Sequence, residues 1–182
     1  MGLEVIGGIL LVVSFLAFIV SAGFLTDSSH RITGIPEYEA NNTDLNTAHR
    51  YSYIGAIVAW ITVAFLLIGG ILLFIYGGAE IYASGTSKFF IYGVLFICLL
   101  GTIVVGILAI LTAIYINRAN VSDNNGAYQQ AIIAAVIATV VFVLVIVVLL
   151  IKVFYKPKNK EVEAEDKKIE EEKEELKELD LT

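Results

Sequence analysis

Few side chains in this sequence are equipped for chemistry, and their positions narrow the choices. The two histidines, His30 and His49, stand 19 residues apart with the single cysteine, Cys98, far away in an apolar run. A metal site needs three or four convergent ligands, so two solvated histidines are the expectation and no metal or other cofactor is implied. No Ser-His-Asp or HExxH arrangement occurs, and nothing in the chain reads as an enzyme. Two N-x-[ST] acceptor patterns are present, Asn41-Asn42-Thr43 and Asn120-Val121-Ser122, which makes Asn41 and Asn120 candidates for N-glycosylation. Each is followed by an aspartate, Asp44 or Asp123, a residue type that satisfies the free amides of a first helical turn. Ser14, Ser21, Thr62, Thr102, Thr112 and Thr139 lie inside apolar stretches, sparse for the lining of a polar path.

The elements that position these groups are membrane spans. Of 182 residues, 58% are hydrophobic and 16% charged, with a mean hydropathy of +0.82, far from a soluble domain. Four stretches carry no charge: 5–26, 51–79, 89–117 and 124–151. Each exceeds the roughly 20 residues that cross a bilayer. The expected fold is all-α, an integral membrane four-helix bundle over residues 1–155, with helices near 5–26, 51–79, 89–117 and 124–154. No Asp, Glu, Lys, Arg or His lies within the four charge-free stretches, which argues against an ion-coupled transporter. Val20-Ser21-Ala22 resembles a signal-peptide cleavage site, but no Lys or Arg precedes it, so the first helix is expected to be retained.

Lys88, Lys152, Lys156, Lys158 and Lys160 flank the second loop and the end of the fourth span. The positive-inside rule therefore puts both termini in the cytoplasm. Both acceptor asparagines then fall in loops on the opposite side. Residues 156–182 hold 7 of the 12 Lys/Arg and 11 of the 18 Asp/Glu. This acidic tail, helical or disordered, argues against a nucleic acid partner. Its Val162, Ile169 and Leu176 form a thin apolar stripe on which a soluble partner could dock through residues 157–182.

The two acceptor patterns also belong to a repeat. Ala40 to Ala48 (ANNTDLNTA) and Ala119 to Ala127 (ANVSDNNGA) match without a gap at an offset of 79, with five of nine positions identical. Ile54, Ala56 and Ala59 match Ile133, Ala135 and Ala138 at the same offset. The chain reads as two tandem helical hairpins in the same orientation, with residues 27–39 as an insertion in the first. Asp44 and Asp123 become caps of equivalent helices. Small residues at helical spacing, Gly55 and Ala59, Ala109 and Ala113, Ala131 and Ala135, supply the close helix approach that lipid favours. They serve packing within one chain or between chains of a homo-oligomer.

Leu111-Thr-Ala-Ile-Tyr-Ile-Asn117 before a Ser/Asn-rich turn, Ala127-Tyr128 opening an Ala-rich helix, and the similar Ala48 to Trp60 segment resemble small four-span virion membrane proteins of nucleocytoplasmic large DNA viruses, over about residues 40–155. The resemblance implies a viral protein of the inner membrane beneath an icosahedral capsid and carries no functional residues across. Claudin-type and tetraspanin signatures are missing, since both depend on cysteines that one Cys98 cannot provide. The expected function is structural: a multi-pass scaffold or anchor in a bilayer of endoplasmic reticulum or virion origin. The alternative is an oligomeric pore lined by the hydroxyls named above.

Overall fold

The computed structural model describes residues 3–40, 42–77, 85–121 and 124–154. They form four long helices and one short one: α1 (Leu3–Thr33), α2 (Pro36–Glu39), α3 (Thr43–Gly77), α4 (Gly85–Arg118) and α5 (Ala127–Phe154). The stretches Ile6–Thr33, Thr43–Leu72, Tyr92–Arg118 and Ala127–Ile151 are each long and apolar enough to cross a membrane. At about 1.5 Å per residue, the four long helices, 28 to 35 residues each, outreach the roughly 30 Å of hydrocarbon and project beyond it. The chain is an integral membrane protein with an all-α bundle.

The helices stand in a square. α1 packs against α3 and α5, and α4 packs against the same two, leaving α1/α4 and α3/α5 as the diagonals. The interior mixes small side chains with fully buried large ones such as Phe18, Leu11, Leu25, Leu66 and Leu95. Ala59, Ala109, Ala134 and Ala138 are fully buried in the core, while Ile9, Leu16, Ile61, Ile107 and Val136 point outward. Lipid solvates large aliphatic side chains as well as protein does, so close backbone approach is what a buried face gains. A second, smaller cluster of Ile32, Ile35, Leu45, Ala48, Ile116 and Ala127 closes the end that carries α2 and residues 118–121 and 124–127, here termed the distal end.

Burial reproduces the repeat. All eight buried positions of α5, from Ala127 to Val148, fall on buried positions of α3 at the offset of 79. Ala56 and Ala135 are each 6% exposed, and the outward Ile54 and Ile133 are 39% and 41% exposed. An offset of 84 relates α1 to α4 in the same way: eight of the nine buried α4 positions match buried α1 positions, among them Leu95 with Leu11 and Ile116 with Ile32. The hairpins α1–α3 and α4–α5 are therefore related by an approximate two-fold axis along the bundle.

The two offsets correct the reading of the first connection. Residues 27–39 are not one insertion: Asp27 to Thr33 continue α1 and correspond to the last turns of α4. The hairpins differ there by five residues, the difference between offsets 84 and 79, where the four-residue α2 stands. α1 runs past Thr26 because the charges that end the apolar stretch do not end the helix. Arg31 Nε pairs with Asp27 Oδ2 at 2.6 Å, one turn apart, and Ile32 is buried on the same face as the core.

α3 likewise begins at Thr43 rather than near Tyr51, and its cap is not Asp44. Asn42 Oδ1 accepts from the amides of Asp44 at 3.0 Å and Leu45 at 3.2 Å. Asp44 lies in the first turn, where a carboxylate complements the helix dipole. α5 starts at Ala127, after residue 124, because Asn125 (φ 50°) and Gly126 (φ 74°) are left-handed. Asn124 Oδ1 fixes this turn by accepting from the Gly126 amide at 3.2 Å. Asn41, Asp123 and the tail 156–182 lie outside the described residues.

Candidate functional site

The bundle interior holds the six small residues singled out by spacing. Ala59, Ala109 and Ala131 are fully buried, Ala113 and Ala135 nearly so. A methyl group on Gly55 would stand 3.3 Å from both Leu108 Cβ and Leu25 Cδ1, which fixes Gly55 where α3 meets α1 and α4. The tightest approach involves a residue that sequence spacing did not single out. A methyl on Gly101 of α4 would collide with the Thr62 side chain of α3. The signal was a lone glycine between Leu100 and Thr102, without anything to show which helix it faces.

The hydroxyls are taken up by the main chain. Ser21 donates to the Ala134 carbonyl at 3.0 Å, Ser28 to that of Ala127 at 3.0 Å, and Ser52 to that of Leu25 at 2.9 Å. These are bonds between helices. Ser14, Thr62, Thr102 and Thr112 each donate at 2.8 Å to a carbonyl three or four residues back in their own helix. Ser14, Ser21, Thr62, Thr102 and Thr112 are all buried within one chain, so they do not face a path formed between copies. Thr139 points outward and donates to the Ala135 carbonyl at 2.9 Å.

Most of the remaining polar chemistry gathers at the distal end. His49 is half-buried between Tyr38 and Tyr53, with ring centroids 5.4 Å and 6.2 Å away, while His30 is exposed. Among the described residues no three His, Cys, Asp or Glu side chains converge to hold a metal ion. Comparison with protein-family models, curated proteins and solved structures finds no match. Arg31 joins α1 to the second distal turn, donating from Nη1 to the Asn125 carbonyl at 3.1 Å. Gln130, which the repeat sets at the place of Tyr51, has a buried Oε1 without a hydrogen-bond partner among the described residues. Tyr51 meets Tyr115 at 5.6 Å between centroids, and the Arg118 guanidinium lies 5.4 Å from the Tyr115 ring. Asn120 is exposed two residues beyond the end of α4, at φ 50°.

Proposed function

We propose that the chain is a non-enzymatic structural membrane protein: an anchor whose bundle holds itself together and whose tail, residues 157–182, contacts a soluble partner in the cytoplasm. The observation that carries this reading is the use of the interior. Seven of the eight buried Ser and Thr residues donate to main-chain carbonyls, and among the described residues no Asp, Glu, Lys, Arg or His is buried. A transporter or proton relay keeps such groups for its cargo. The basic residues near the second loop and the fourth span support cytoplasmic termini, with Asn41 and Asn120 as glycan acceptors on the other side. The resemblance of residues 40–155 to virion membrane proteins supports placement in a viral inner membrane.

The test is deletion of residues 157–182 from the tagged chain. Membrane insertion is expected to be unchanged, protease added to the cytosolic side of microsomes should remove the intact tail, and the soluble partner should no longer co-purify. A protected tail, or co-purification that survives the deletion, overturns the tail assignment. Liposomes densely loaded with the full chain are expected to stay electrically silent, and steady conductance would favour the pore.

A further inference from the structure

We propose that the distal corner between α3 and α4 binds a membrane phospholipid, with its phosphodiester on Arg118 and an acyl chain along the groove between the two helices. Two corners that the repeat makes equivalent differ in how their cation is paired. At the α1–α5 corner, Arg31 stands in the last turn of α1 and has its own counter-ion, Asp27, one turn deeper. Shifted by 84 residues, Arg31 becomes Tyr115 and Asp27 becomes Leu111. The cation of the α3–α4 corner sits one turn further on, at Arg118, again in the last turn of its helix.

Both arginines thus enjoy the same helix C-terminus, so the dipole does not distinguish the corners. The counter-ion does. Among the described residues neither Arg118 nor Arg50, the neighbour of Tyr51, forms an ion pair, and both are exposed. Arg118 lies over the Tyr115 ring. Its exposed guanidinium carries N–H donors in a planar fork that suits a tetrahedral oxyanion, and phosphate accepts two of them at once.

The surface beneath decides between a free anion and a lipid. One turn below Arg118, Ile114 is 45% exposed, and Ile54 on α3 is 39% exposed, with Leu111 half-buried beside them. This is an uninterrupted apolar strip running from the cation toward the bilayer centre. Water gains nothing from it, whereas an acyl chain attached to the phosphate covers it. The phosphodiester is also the anion that the bilayer itself holds at this depth.

Native mass spectrometry of the full chain extracted in non-ionic detergent reads the site directly. One phospholipid should remain on the protein, and the double variant Arg50→Gln/Arg118→Gln should lower its retention by about a hundredfold, as expected for two lost charge-assisted hydrogen bonds. Arg31→Gln, at the self-paired corner, should retain lipid as the parent does. Ile54→Trp, which obstructs the strip but keeps both arginines, should also lower retention and serves if the double variant does not fold. Phosphatidylglycerol added to delipidated protein should raise the thermal midpoint, and inorganic phosphate at equal concentration should not. Equal retention by the parent and by every folded variant overturns the proposal, as does equal stabilisation by inorganic phosphate.

Discussion

Across the α1–α5 interface, Ser21 and Ser28 reach over to carbonyls of the facing helix, and at the distal corner Arg31, paired with Asp27 of its own helix, donates to the Asn125 carbonyl. Across α3–α4, the counterpart of that interface in the repeat, Thr112 stands where Ser28 stands but turns back to its own helix. That contact is held by the approach of Gly101 to Thr62, Gly69 to Val94 and Gly55 to Leu108, with an aromatic pair at the corner. One backbone arrangement is thus reached by two kinds of adhesion. What the repeat constrains is which positions face inward, and the chemistry at those positions is free to diverge as long as each helix can come close.

The contrast has graded consequences. Gly101→Val forces a branched side chain into Thr62 and should cost about 1–3 kcal/mol, read as a lower midpoint of unfolding in mixed detergent. Gly23→Val, where nothing stands within 4 Å, is the reference and should stay within about 0.5 kcal/mol of the parent. Equal effects at the two glycines would mean that close approach does not hold the α3–α4 interface. Ser21→Ala and Ser28→Ala should each cost about 0.6 kcal/mol, the average for hydrogen bonds between membrane helices. Thr112→Val should cost less because its bond joins no second helix, and an equal loss would erase that distinction. Asp27→Asn should fall at the low end of the range for exposed pairs, because both side chains are more than a third exposed. An exposed ion pair is worth about 0.2–1 kcal/mol, and the loss should shrink as salt is raised. A loss indifferent to salt would assign the corner to packing instead.

Four spans were legible because apolar stretches of that length have few alternatives, and the two hairpins were legible because a polar nonamer rarely recurs by chance. The ends of the helices were not. Reading a span stops at the first charge, but a helix above the membrane continues wherever its charges pair, as Asp27 and Arg31 do, or wherever a side chain is buried, as Leu45 is at the start of α3. Asp44 was the plausible cap by residue type, and Asn42 takes the role because the helix begins one residue after it. Spacing singled out Ala109 and Ala113 but passed over Gly101, since spacing describes one helix and close approach belongs to two. At the distal end, the pairing of Tyr51 with Tyr115 depends on how α3 meets α4, which no single segment encodes.

The bonds from Ser21 and Ser28 join residues 113 and 99 positions apart in the chain, and both acceptors lie on α5. During synthesis at a translocon the first hairpin emerges with these two hydroxyls unmatched, while Ser52 already has Leu25 within the same hairpin. Until α5 arrives they can turn back to carbonyls of their own helix, as Ser14 does. The nascent half can thus wait in lipid without exposing a bare hydroxyl, and lateral closure of α5 against α1 exchanges local bonds for the latch that completes the ring.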